Sequence, residues 1–298
     1  PMRNEGNHMA LVPMGQLVQD AKRGRYAVGQ FNFSTLEFAQ AIMAAAVEER
    51  APFILGVTGG GLRHMGVEFA AAIGRTVAEM AEVPVALHLD HGSSFEIVMR
   101  CLRAGFSSVM FDGSRLPLQE NMAITKQIVR VAHSMGVSVE AEVGAIGGVE
   151  DDLSLAASDA LVTDPKEAIS FYEETGVDAL AVAVGNAHGM YKSIPDIRID
   201  IVQTISEALP IPLVLHGGSD IPEATIRQAI VAGCSKINVS TEFQLAFTDG
   251  LRQALADESL HDSRKCLGPA REAVRKVVVE KIRLSGCRGR ASRGDRPC

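Results

Sequence analysis

The tightest constraint on this chain is an alternation repeated eight times along its length. Short apolar runs lie at 26–32, 53–57, 85–90, 108–112, 138–143, 179–184, 213–216 and 236–240. Each is followed by a longer amphipathic run, at 34–50, 68–82, 94–104, 119–135, 165–175, 198–208, 222–232 and 241–256. Strands separated by helix-length segments are joined by crossovers, which makes the strands parallel and lays the helices over them. Gly105, Gly136, Gly176 and Gly233 each fall between a helical run and the next strand, where a left-handed residue ends a helix. Pro165 after Asp164 marks a helix start. Ser34, with Glu37 three residues on, reads as a capping box. Two further helices are expected near 13–24 and 269–284.

A doubly wound sheet would also alternate strand and helix. Eight units, no GxGxxG after the first strand and polar residues closing many strands favour a closed barrel. The expected fold class is α/β, a (β/α)8 TIM barrel with extra N-terminal and C-terminal helices. A length of 298 residues suits one such domain, placed here at 9–284. Residues 1–8 read as an expression scar or poorly ordered lead-in, with Met9 as the start, and 285–298 as a flexible tail. The Arg-Gly-Asp at 293–295 is a three-residue match in that tail and carries no adhesion reading.

The net charge is -7, and Lys and Arg do not cluster before the last residues. This argues against a nucleic-acid partner. A phosphorylated small molecule remains open, because backbone N–H groups can bind phosphate locally. The five Cys form no CxxC and read as reduced cytosolic thiols, so a cytoplasmic location is expected. No apolar run reaches the length of a membrane span.

In a barrel the chemistry sits at the C-terminal ends of the strands. Those positions hold Asn32, Thr58, Asp90, His91, Asp112, Glu140, Glu142, His188, His216 and Asn238. A barrel with only a structural role has no need of this concentration. A single histidine is usually a satisfied one, but His91, His188 and His216 close three different strands. Three neutral imidazoles with an open fourth position form a catalytic zinc site. His88 shares a strand face with Asp90 and reads as a partner to the site. His8, His64, His133 and His261 fall elsewhere. Gly217–Ser219 and Asn238–Thr241 follow the seventh and eighth strands, where such barrels bind phosphate. Ser219, Ser240 and Thr241 add hydroxyl donors, and Asn32 and Thr58 are candidates to hold a substrate hydroxyl. The stretch 144–164 is long for a loop. Its glycines could hinge and its acids could close over the site, or it could be a solvated acidic loop.

The segments LHLDHG (87–92), VEAEVGAIGGVEDD (139–152), VAVGNAHGMY (182–191), LVLHGGSD (213–220) and KINVSTE (236–242) resemble the class II fructose/tagatose-bisphosphate aldolases. The likeness runs from about residue 13 to about 284, in family order. It implies a zinc-dependent aldolase of a ketose phosphate, often with a monovalent cation (Na+ or K+), acting as a homodimer or homotetramer. His91, His188 and His216 would be the zinc ligands, with Glu142 and Asp112 serving an alternative metal position. Gly189, Gly217, Ser219, Asn238, Ser240 and Thr241 would hold dihydroxyacetone phosphate. Asp90 would be the acid/base at the C4 hydroxyl, and Glu150 would move the C3 proton. Ser240 stands where fructose-specific relatives carry Asp, and Gln244 where many carry a basic residue. These departures point to an acceptor aldehyde without phosphate, unless Arg271 or Arg283 supplies the distal contact. The rivals are a Schiff-base aldolase using Lys236, placed at the start of strand eight away from the active face, and a non-catalytic sugar-phosphate-binding barrel.

Overall fold

The computed structural model describes residues 11–150, 153–155, 161–191 and 193–291. The first half runs α1 (Met14–Gly24), β1 (Val28–Asn32), α2 (Leu36–Glu48), β2 (Phe53–Val57), α3 (Gly59–Met65), α4 (Val67–Met80), β3 (Val85–Gly92), α5 (Phe95–Ala104), β4 (Ser108–Phe111), α6 (Leu118–Ser134) and β5 (Ser138–Val143). A hairpin follows, β6 (Gly147–Glu150) and β7 (Leu153–Leu155). The chain continues through α7 (Pro165–Thr175), β8 (Ala179–Val182), β9 (Ala187–His188), α8 (Ile199–Ala208), β10 (Leu213–Leu215), α9 (Glu223–Ala232), β11 (Cys234–Val239), α10 (Thr241–Leu255) and α11 (Ser263–Leu284).

Eight strands close into a parallel barrel in the order β1, β2, β3, β4, β5, β8, β10, β11, with β11 returning to β1. The expected (β/α)8 barrel is therefore the fold. Burial has two layers. Outward residues of the strands and inward residues of the helices form one apolar shell, including Leu55, Leu87, Val139, Phe38, Ile42 and Val98. Each fully buried side chain of this size contributes about 1.5–3 kcal/mol. The barrel interior is polar instead. Gln30 and Asn32, His88 and Asp90, Glu140 and Glu142, and Lys236 and Asn238 are all buried. Spaced two apart on β1, β3, β5 and β11, each pair lies on one strand face. Bonds between strands show that this face is inward: Asn32 Nδ2 to Asp90 at 2.8 Å and Lys236 Nζ to Glu140 at 2.8 Å.

α1 closes the N-terminal end of the barrel. Val12 N donates to Val85 O, Gly15 N to Ser138 Oγ, and Lys22 Nζ to the carbonyls of Leu209 and Ile211. The opposite mouth is left for the site. Among the described residues no helix is long and apolar enough to cross a membrane.

Several local expectations need correction. The N-cap of α2 is Thr35, with no side-chain bond, and not Ser34; Ser34 lines the cavity at the barrel mouth instead. The triple glycine at 59–61 hides α3, a helix started by Thr58 Oγ1 accepting from Gly61 N at 3.2 Å. α11 begins at Ser263, six residues before Pro269, and carries that proline inside. Residues 285–291 are not a loose tail. Ser285 O accepts from Ala27 N, and Gly289 N and Ala291 N donate to the carbonyls of Glu49 and Arg50. Cys287 is fully buried there. This segment satisfies backbone groups of the α2–β2 turn that would otherwise need water. Residues 1–8 and 292–298 lie outside the described residues.

Candidate active site

Three elements bring the histidines together at the mouth. His91 sits near the end of β3, where the β3–β4 register shifts between Leu89 and Gly92. A bulge of this kind re-aims a side chain. His91 also takes a left-handed φ of 49°. His188 is in β9, paired with Gly148 of β6. A Cβ on Gly148 would lie 2.2 Å from the His188 carbonyl oxygen, so only glycine allows this approach. His216 directly follows β10. Ring centroids lie 4.9 Å apart for His91 and His188, 4.6 Å for His91 and His216, and 5.8 Å for His188 and His216.

The outer nitrogen of two rings is held by a carboxylate. Asp112 Oδ2 lies 2.7 Å from His91 Nδ1, and Glu140 Oε1 lies 2.9 Å from His216 Nε2. Each carboxylate accepts a ring proton, so in the neutral form of each ring the opposite nitrogen carries the lone pair. Those nitrogens, His91 Nε2 and His216 Nδ1, face each other at 2.9 Å. At that separation a proton or a metal ion must lie between the two nitrogens, since two bare lone pairs would repel. Burial pushes the Asp112 carboxyl up, but His91 and two bonds from Ser114 draw it below the ordinary carboxylate range. Burial likewise raises Glu140, and Lys236 and His216 more than offset it. Burial lowers the His216 imidazole and keeps it neutral, as a metal ligand must be. His88, also fully buried, is pushed down to about 3 by burial and by Lys236. Its Nδ1 lies 2.7 Å from Ser108 Oγ.

Two sets of donor atoms lie within 4.8 Å of one another: His91, His188 and His216, and His91, Asp112 and Glu142. The three nitrogen donors of the first set fit a divalent metal. In the second set Asp112 is committed to His91, and Glu142 Oε1 accepts from Ile146 N at 3.4 Å.

Asp90 is fully buried beside His91. Its two oxygens accept from Asn32 Nδ2 at 2.8 Å and Asn238 Nδ2 at 3.2 Å. Asn32, expected to hold substrate, thus lends its amide to Asp90. A cavity of about 460 Å³ opens beside these groups, with Asn32, Thr58, His188, Gly189, Gly217, Ser219, Asn238, Ser240 and Thr241 among its walls. Ser219 Oγ accepts from Ser240 N and Glu242 N, both at 3.4 Å, and so ties the β10 loop to the N-terminus of α10. Tyr191 pins the neighbouring loop, its hydroxyl accepting from Ala187 N at 2.8 Å and donating to Gly217 O at 3.1 Å. Burial raises that hydroxyl to about 12, so it stays protonated and able to donate.

The structure adds residues that the sequence reading left out. His64, set apart from the site in the sequence, lies on α3, and it lines the cavity together with Phe33 and Ser34. Lys236 is not at the start of its strand and away from the site. β11 begins at Cys234, and the lysine lies in the interior against Glu140 and Asn238. Its spacing of two from Asn238 was the available signal. Arg271 and Arg283 do not reach the cavity. They bond to Gln40 and Glu49 on the helical layer. Glu150 closes β6 of the hairpin; its side chain lies outside the described residues.

The family model for class II fructose-bisphosphate aldolase matches residues 12–290. The chain belongs to this family. The fructose-bisphosphate aldolase of Geobacillus stearothermophilus is 47% identical, over 95% of this chain and 100% of that protein. The enzyme of that name from Staphylococcus aureus is 46% identical with the same coverage. Among solved structures, the YdjI aldolase of Escherichia coli matches with a TM-score of 0.83 at 32% identity, over 95% of this chain and 100% of that one. A putative fructose-1,6-bisphosphate aldolase from Coccidioides immitis gives 0.84 at 28% identity, over 93% and 96%. This class II aldolase is thus a carbon–carbon lyase of a family that generally depends on a metal.

Proposed function

We propose that this aldolase uses zinc to cleave fructose 1,6-bisphosphate, or its tagatose diastereomer, into dihydroxyacetone phosphate and glyceraldehyde 3-phosphate. The observation that carries the reading is the pair of ring nitrogens of His91 and His216 facing at 2.9 Å, with His188 beside them. His91, His188 and His216 would hold the metal, and Glu142 an alternative position. Asp112 would orient His91 and so act on the metal through it. A metal held there supplies positive charge against the oxygens where the carbanion's charge collects.

The protein's own groups do the rest. The phosphate of the dihydroxyacetone half sits at the N-terminus of α10, a 15-residue helix, where amides and the positive dipole end favour an anion. Gly189, Gly217, Ser219, Ser240 and Thr241 surround it. Asp90 takes the proton from the C4 hydroxyl as the C3–C4 bond breaks, with Asn32 and Asn238 fixing its oxygens. The Asn238 amide also faces the metal side and donates to the sugar. Glu150, on the hairpin that carries Gly148 against His188, returns a proton to C3. Each of these proton transfers contributes about 10²–10⁴-fold. A Na+ or K+ ion, a homodimer or homotetramer and a cytoplasmic location complete the reading, on the family resemblance. The Schiff-base rival needs an unencumbered amine, and the Lys236 ammonium is paired with Glu140 at 2.8 Å.

One observation favours a second reading of the acceptor. Among the described residues, the cavity walls include Ser240 and Gln244 but no Lys or Arg. That suits an aldehyde without phosphate. Both readings are tested by following dihydroxyacetone phosphate release from the two ketose bisphosphates, and condensation with glyceraldehyde against glyceraldehyde 3-phosphate. A strong preference for the phosphorylated aldehyde removes the second reading. No turnover of any of these by zinc-loaded protein removes the substrate assignment.

A further inference from the structure

Lys236, inside the barrel, takes no part in the proton transfers. Lys236 is fully buried. Keeping an ammonium there carries a desolvation cost that partner groups must offset. It has two. Nζ lies 2.8 Å from Glu140 Oε2, and it donates to Asn238 Oδ1 at 2.8 Å.

Each partner leads to a different part of the chemistry. Along the first arm, Glu140 uses its other oxygen, Oε1, for His216 Nε2 at 2.9 Å. Holding the proton on Nε2 leaves Nδ1 to face His91 Nε2. Along the second arm, an ammonium can only donate, so the Asn238 atom it meets must be the amide oxygen. The Asn238 NH2 group is then turned the other way, to Asp90 Oδ1 at 3.2 Å and to the His216 ring at 3.4 Å. Without the lysine, the amide could rotate and present oxygen to the Asp90 carboxylate, where it would repel. Asn32 is set by the same logic across the barrel: Gln30 Nε2 occupies its oxygen at 3.0 Å and its NH2 faces Asp90.

We propose that Lys236 is a positioning residue that sets two functional groups at once, the tautomer of His216 through Glu140 and the amide orientation of Asn238. The proposal rests on the reading of His216 as a metal ligand and Asp90 as the proton acceptor. A single buried charge thereby registers the metal arm of the site against its proton-transfer arm. The lysine is spent on geometry and makes no bond with substrate.

Two double variants separate the arms, each removing both buried charges together. In K236M/E140Q the amide oxygen can still accept from His216, but the donor to Asn238 is gone. In K236M/E140M both arms are gone. Zinc affinity is measured by competition with a chromophoric chelator, and kcat and KM at saturating zinc. K236M/E140M should bind zinc about 10–100-fold more weakly than the wild type, the usual loss when an outer partner is removed. K236M/E140Q should regain most of that affinity, while its kcat stays at least about tenfold down with little change in KM. Zinc binding by folded K236M/E140M at wild-type strength overturns the first arm. Wild-type kcat in K236M/E140Q overturns the second. If K236M/E140M does not fold, nitrogen-15 NMR of the metal-free wild type decides the first arm. A proton on His216 Nε2 is expected, and one on Nδ1 contradicts it. Failure of the wild-type protein itself to bind zinc would instead strike the metal assignment on which the proposal rests.

Discussion

His91 shows how much of the site is set one residue at a time. Its φ of 49° is a left-handed conformation that costs a non-glycine residue about 1–3 kcal/mol. The next residue is glycine because a Cβ there would meet Met110 O at 2.4 Å. The strained turn brings Nε2 to the other rings, and Asp112 holds Nδ1. Asp112→Ala should weaken zinc binding by about 10–100-fold while the protein stays folded; unchanged affinity would show that Asp112 does not orient the ring. Asp90→Asn should lower kcat by about 10²–10⁴-fold and leave zinc content intact. A small effect would move the proton-transfer role elsewhere. At this scale the sequence was informative where residues end strands. His91, His188, His216, Asp90 and Asn238 stood out because a barrel gathers strand ends at one mouth. Glu140 and Lys236 were harder to read, since their meaning is a bond between strands across the interior. Asn32 and Asp112 were visible as site residues, yet in the structure their side chains serve Asp90 and His91.

Among the elements, the long stretch after β5 carries the most consequence. It forms β6 and β7, and β6 runs parallel to β9, with Gly148 against His188. The segment that bears Glu150 is thereby docked on His188. Gly148→Ala would place a methyl group 2.2 Å from His188 O on a backbone with φ 99°. The hairpin must then shift from β9. We expect kcat to fall by about 10²-fold, the cost of roughly an ångström of misplacement, with the thermal midpoint nearly unchanged, because the barrel strands are untouched. Wild-type turnover in this variant would show that the hairpin register is unimportant. Strand and helix periodicity found all eight barrel units. It missed β6, β7 and α3, because short hairpin strands lack a buried period and three successive glycines argue against a helix until Thr58 caps it. It also cut short α11, since a proline inside a helix looks like its start.

For the molecule as a whole, the unusual feature is a polar interior inside an apolar shell. Its histidines make stability depend on pH in a definite direction. His88 is held down to about 3 in the folded protein, against about 6.5 in an unfolded chain. Below about 6.5 the unfolded state takes up a proton that the folded state refuses, so stability falls as pH drops towards 3, by about 1.4 kcal/mol per unit for one such histidine. His216 is shifted the same way and adds to the slope. Denaturant titrations in chelator at pH 7.5, 6 and 5 should show a falling midpoint. A constant midpoint would mean that these rings are protonated in the folded state.

The central claim is that three histidines at the barrel mouth hold the metal on which aldol cleavage depends. The most direct measurement is dihydroxyacetone phosphate release from fructose 1,6-bisphosphate before chelation, after complete metal removal, and after zinc is returned, with bound zinc counted at each stage. We predict activity that vanishes with the metal and returns in proportion to zinc bound, and a His188→Ala variant that regains neither. Undiminished cleavage by metal-free protein would contradict the account.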